Sequence, residues 1–97
     1  MIVVKIHDAG KDRTVIALCD SALIGKTIEE NGIHLNLASD FYKGEEKTEK
    51  EIKALLKDAY IVNFVGEKSV KLGIEAGLID QQNVIRIKGV PHAQSMR

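Results

Sequence analysis

The sequence predicts an α/β fold: a small mixed sheet of about five strands, with an N-terminal antiparallel hairpin followed by βαβ crossovers and about two or three helices. Three observations carry this prediction. Apolar residues alternate at Ile2, Val4 and Ile6, and an apolar, β-branched stretch follows over residues 14–19, with a Gly-bearing turn between them; this is strand periodicity on both arms of a hairpin. Thr48-Glu49-Lys50-Glu51 has the form of a capping box ahead of Ile52, Leu55, Leu56 and Ala59 at helical spacing. Tyr60-Ile61-Val62-Asn63-Phe64-Val65 is nearly continuous apolar sequence, as expected of a central strand covered on both faces.

In chain order, Asp8-Ala9-Gly10-Lys11-Asp12 forms the turn of the first hairpin. Asp20-Ser21 then offers a helix cap, and Leu23, Ile24 and Ile28 recur at helical spacing until Asn31-Gly32, so residues 20–31 are expected to hold a short helix weakened by Gly25. Ile33, Leu35 and Leu37 restore strand period. Residues 39–46 read as a surface loop anchored by Phe41-Tyr42. After the capped helix and the apolar strand, Gly66 opens a second amphipathic helix over residues 67–76, with Gly77 beyond its end. Residues 83–88 are expected to form the last strand, with Ile85 and Ile87 inward. Pro91 lacks an amide donor, so residues 90–97 are expected to leave the ladder as a tail.

The 97 residues suit one domain spanning 1–97, and 44% apolar residues can fill one core. Fourteen basic residues balance fourteen acidic ones, so no global field recruits polyanions and only a local patch can do so. Cys19 is the single cysteine, which excludes an internal disulfide and multi-cysteine metal patterns. The N-terminal apolar run is too short for a signal-peptide core or a bilayer span. A cytoplasmic setting without a membrane partner is therefore expected.

Gly25-Lys26-Thr27 ends like a phosphate-binding loop, but Asp20 stands where that motif needs its first glycine. Gly66-Glu67-Lys68-Ser69 is the better candidate, because a strand ending in glycine at a helix start turns free amides and the positive helix end outward. Lys68 adds a charge there and Ser69 a hydroxyl. Cys19 paired with a histidine would make a nucleophile, but a cysteine ending an apolar strand is more often an inert core thiol. The three histidines show no metal-binding spacing. No catalytic, cofactor-binding or metal-binding residue is assigned. Lys68, Lys71, Arg86, Lys88 and Arg97 concentrate basic charge in the last third, and His92 and Gln94 sit in a polar segment suited to contact.

Cys19-Asp20, Gly25-Lys26-Thr27, Phe41-Tyr42-Lys43-Gly44, Asn63-Phe64-Val65-Gly66-Glu67, Glu75-Ala76-Gly77-Leu78 and Gly89-Val90-Pro91-His92-Ala93-Gln94 resemble, in order and spacing, the archaeal proteins grouped as domain of unknown function family 424. The resemblance implies an archaeal, cytoplasmic, stand-alone domain and supplies no catalytic residue. The leading expectation is a non-enzymatic binding module for RNA or a translation-linked ribonucleoprotein partner. Its binding residues would be Lys26, Gly66, Lys68, Ser69, His92 and Gln94, and its affinity would fall steeply with salt. Two alternatives stand beside it. One is a small enzyme or ligand-binding domain with a pocket around Cys19, Lys26 and His92; the other is a protein–protein adaptor or homodimer that uses the Phe41-Tyr42 loop or an unpaired strand edge.

Overall fold

The computed structural model describes residues 1–96. In chain order the strands are β1 (Ile2–Asp8), β2 (Thr14–Asp20), β3 (Thr27–Glu30), β4 (Ile33–Asn36) and β5 (Glu45–Lys47). Helix α1 (Glu49–Leu56), strand β6 (Ile61–Val65), helix α2 (Glu67–Glu75) and strands β7 (Ile85–Ile87) and β8 (Val90–Met96) follow. The fold is mixed α/β: a six-stranded sheet in the order β5-β1-β2-β6-β8-β7, with β3 and β4 forming a separate two-stranded sheet.

The first hairpin forms as expected, from Ile2 opposite Asp20 to Asp8 opposite Thr14. β6 then lies beside β2 in parallel, Val15 to Cys19 against Ile61 to Val65. This places β6 at the centre and explains its nearly continuous apolar run. On one face Ile16, Leu18, Val62 and Phe64 pack under the helices, against Ile52 and Leu56 of α1 and Val70 and Leu72 of α2. On the other, Ala17, Cys19 and Val65 lie under Ile28, Leu35 and Leu37 of the β3–β4 hairpin and its exit. Fully buried side chains of this size contribute roughly 1.5–3 kcal/mol each, so Phe64, sealed at 0% exposure, ties the sheet to α2.

The helix starts differ in how they are capped. At α1 the capping box is complete: the Glu51 amide donates to Thr48 Oγ1 at 3.2 Å and the Thr48 amide donates to Glu51 Oε1 at 3.1 Å. These bonds favour the carboxylate and hold Glu51 below its usual range. At α2 the N-cap is Gly66, which has no side chain to offer, and the cap comes from elsewhere in the chain.

Three expectations are corrected. Residues 20–31 form no helix: Ser21–Leu23 is one 3₁₀ turn, and β3 follows and pairs with β4. Asn31 and Gly32, at φ 52° and 82°, are the positive-φ pair of a tight hairpin turn, so the Asn-Gly signal marks a hairpin rather than a helix stop. The sheet has more strands than expected, and its one parallel pair is β2 with β6; β8 runs antiparallel to β6 and separates it from β7. The chain also continues the ladder past Pro91, because Lys88 and Gly89 at φ 49° and 79° turn it into β8. Pro91 is accommodated in this central strand because its carbonyl points toward β6, accepting from the Gly66 amide at 2.9 Å. Its missing amide donor points the same way, where the Gly66 carbonyl is already taken by the Val70 amide. Residue 97 of the expected tail lies outside the described residues.

Candidate functional site

Directly opposed residues in a ladder share a face, so the strand registers set three rows of side chains on the hairpin-facing side of the sheet. The first row runs Val3, Cys19, Val65, His92 and Ile85; the second Lys5, Ala17, Asn63 and Gln94; the third His7, Val15, Ile61 and Met96. The β3–β4 hairpin covers the Cys19–Val65 part of the first row, and the turn Asp40–Tyr42 packs beside it. The lower rows are open: Gln94 and Met96 are exposed, and Lys5, His7, Val15, Ile61 and Asn63 are half-buried.

The open rows have a definite chemistry. Asn63 interrupts the apolar β6 and stands opposite Gln94 on β8, and neither amide has a hydrogen-bond partner among the described residues. Lys5 lies in the same row and makes no ion pair among the described residues. His7 stacks on Phe41 with ring centroids 4.5 Å apart and planes 12° apart, and its Nε2 donates to the Phe41 carbonyl at 3.0 Å. A flat, fixed pair of rings therefore borders a strip of free amides. Arg13 sits 4.6 Å from the centre of the Tyr60 ring, just before β6 begins.

His92 lies two residues before Gln94 on the same face, opposite Val65. Both of its ring nitrogens are shut off from solvent and have no hydrogen-bond partner. Burial disfavours the imidazolium and holds His92 below the usual histidine range. Of the two expected contact residues on this face, Gln94 is open to a ligand, whereas His92 has both ring nitrogens buried and is not placed to make the polar contact expected of it. Asn63 was missed, although its position as the single polar residue in a continuous apolar strand was a usable signal.

Gly66, Lys68 and Ser69 gather at the end of the sheet, at the carboxyl ends of the parallel strands β2 and β6. Here Asp20, expected to cap a local helix, instead caps α2. Its Oδ2 accepts from the Lys68 amide at 3.0 Å, and its Oδ1 accepts from the Ser69 amide and Ser69 Oγ, both at 2.8 Å. The anion at this helix start is therefore supplied by the chain, and the Lys68 ammonium is the group left for an outside ligand. Gly66 is required by this arrangement: at φ 107° and ψ 161° it lies in a region open almost only to glycine, and a Cβ there would stand 2.3 Å from Asp20 Cγ.

The remaining sequence candidates are dispersed. Lys26 is exposed at the base of the β3–β4 hairpin, where its amide donates to the Leu23 carbonyl. Arg86 is engaged by Glu67 at 2.7 Å and by the Gly89 carbonyl at 2.9 Å. Arg97 lies outside the described residues. Cys19 is fully buried, and burial, followed by the nearby Asp20 charge, pushes its thiol up to about 12. The Val65 position of β6 stands between it and His92, so the two do not form a nucleophile–base pair. No group of three or more His, Cys, Asp or Glu side chains among the described residues is placed to hold a metal ion, and no helix is long and apolar enough to cross a membrane.

A family model described as "Protein of unknown function (DUF424)" matches residues 7–97. A solved structure, the crystal structure of an uncharacterized conserved protein from Methanopyrus kandleri, superposes with a TM-score of 0.79 at 28% identity, covering 99% of this chain and 93% of that one. No curated protein matches the chain.

Proposed function

We propose that this chain, which belongs to the DUF424 family of proteins of unknown function, is a non-enzymatic binding module that takes single-stranded RNA, free or within a ribonucleoprotein, on the open face of its sheet. One observation carries the reading: the unpartnered Asn63 and Gln94 amides lie side by side on a face that also holds Lys5 and the stacked His7 and Phe41 rings. Unstacked bases are held by stacking on flat side chains and by hydrogen bonds to their edges, and sheet faces are a recurrent platform for this. Lys5 on this face, and Lys68 at the end of the sheet beyond the covered row, would contact phosphate, which fixes position without reading sequence.

The test is a fluorescence anisotropy titration of a labelled single-stranded RNA at low salt, run with a pull-down from cell extract with and without ribonuclease. Binding is expected, and Asn63→Ala with Gln94→Ala should weaken it by about tenfold. Lys68→Glu should also weaken it. No binding at low salt, or full affinity in the double variant, would overturn the assignment.

A protein partner is the second reading. A groove of about 380 Å³ runs between α2 and β7, with Val70, Ile74, Val84 and Pro91 along it and Glu67, Lys71, Glu75 and Arg86 at its rim. An apolar floor within a charged rim is the usual anatomy of a protein interface. Recovery of a defined protein that ribonuclease does not release would favour this reading.

A further inference from the structure

Among the described residues, the far half of the β1 edge is left unpaired. Along β1, the Met1 carbonyl accepts from the Ser21 amide and the Ala9 amide donates to the Arg13 carbonyl. Odd-numbered residues of β1 therefore aim their backbone groups at β2, and even-numbered residues aim theirs at the β5 side. β5 pairs only with Ile2, Val3 and Val4. The outward amide and carbonyl groups of Ile6 and Asp8 are thus left without a backbone partner among the described residues.

The chain runs tight against β1 at Gly44, where a Cβ would fall 1.9 Å from the Val4 carbonyl oxygen, and a notch of about 410 Å³ opens beside the free edge. Val4, Lys5, Ile6, Lys43, Gly44, Glu45 and Lys47 line it. Ile6 is 45% exposed, an apolar side chain on an unpaired strand. Elsewhere the edges are guarded: the Lys88 amide at the end of β7 is capped by Glu30 Oε1 at 3.0 Å, and β5 is a short, charged strand, Glu-Glu-Lys. Such devices ordinarily prevent strand addition, and along residues 6–8 the one guard is the exposed charge of Asp8 at the far end.

We infer that the β1 edge accepts an extended acidic peptide segment as an added strand. Strand addition takes its affinity from main-chain hydrogen bonds and its specificity from alternate side chains, and Ile6 gives one apolar contact. The charge of the notch selects the acidic partner, because three lysines face one glutamate among its lining residues. Lys43 pairs with Asp40 at 3.3 Å and Lys47 with Glu45 at 3.9 Å, both with strongly exposed acids. Exposed pairs of this kind hold weakly, so incoming carboxylates can take both ammonium groups.

The probe is a fluorescein-labelled hexapeptide of alternating Asp and Val, titrated into the full chain and followed by anisotropy and amide hydrogen exchange. Saturable binding with slowed exchange of the Ile6 and Asp8 amides is expected. Lys43→Glu with Lys47→Glu should weaken binding by about tenfold. Ile6→Pro should abolish it, since proline is tolerated on an edge but removes the outward donor; the charge variant covers the case in which Ile6→Pro misfolds. Unchanged exchange at Ile6 and Asp8, or equal binding of a Lys/Val hexapeptide, would overturn the inference. Concentration-dependent dimerisation blocked by the same variants would overturn the choice of occupant in favour of a second copy. RNA binding by the sheet face is read separately, so either result can fail alone.

Discussion

Asp20→Ala removes a cap that reaches across the chain to α2. Three hydrogen bonds are lost, two from backbone amides and one from Ser69 Oγ. An N-cap carboxylate replaced by alanine costs about 1 kcal/mol. Ser69 is 0% exposed in the intact cap, and its orphaned amide and hydroxyl add about 1–3 kcal/mol. The expected loss is about 3 kcal/mol, a fall in Tm of about 12–24 °C for a domain of this size. Asp20→Asn keeps one acceptor oxygen and should lose about half as much.

Gly66→Ala reaches the same cap from the other side. It pushes Asp20 off α2 and adds backbone strain of about 1–3 kcal/mol. Once the cap is displaced, removing the carboxylate costs nothing more, so the double variant should be no less stable than Gly66→Ala alone. Urea denaturation of the four proteins closes the cycle. Additive losses within about 0.5 kcal/mol, or a loss below about 1 kcal/mol for Asp20→Ala, would refute the shared-cap argument.

Two further predictions concern buried titratable groups. Because burial lowers the His92 pKa in the folded state, the unfolded chain binds the extra proton first as pH falls. Stability is therefore expected to hold above the ordinary histidine value of 6.5 and to decline below it. His92→Leu should flatten that decline while leaving stability at pH 8 within about 1 kcal/mol; an unchanged acid limb in urea titrations would assign the effect to other groups. Cys19 should resist iodoacetamide at pH 8 in the native protein and react fully in guanidinium, because its thiol is buried and pushed up to about 12. Rapid native alkylation would show that the hairpin cover opens freely.

Elements specified by local signals were legible in the sequence: the β1–β2 hairpin by alternation, α1 by its capping box, and β6 by its apolar run. The failures occurred where one residue type carries two meanings. Asn31-Gly32 ends helices and turns hairpins alike, and only the fit of Ile28 and Leu35 against Ala17 and Cys19 decides between them. Pro91 opposes a central strand on local grounds, yet it is harmless where the neighbouring carbonyl is already engaged by a helix. The helix start at Gly66 was legible as a place for an anion. That the anion is Asp20 was not, because a contact spanning 48 residues leaves no local pattern.

That contact also changes the expected electrostatics of RNA binding. With the α2 amides satisfied internally and Arg86 held by Glu67, a strand on the open face would meet separate ammonium and guanidinium groups, chiefly Lys5, Arg13 and, past the covered row at the end of the sheet, Lys68, rather than a preformed phosphate cradle. Each neutralised phosphate on a single strand contributes about −0.7 to the slope of log K against log salt, so three contacts give about −2. On the sheet-face reading the dependence would be shallow, in place of the steep one expected from a basic patch. Most of the affinity would then come from stacking on His7 and Phe41 and from the Asn63 and Gln94 amides. Anisotropy titrations at several salt concentrations measure this slope directly. A value near −2 that is retained in the Asn63→Ala, Gln94→Ala double variant, with affinity lowered at every salt, fits the sheet-face reading; a slope steeper than about −4 would mean that most phosphate contacts lie elsewhere on the molecule.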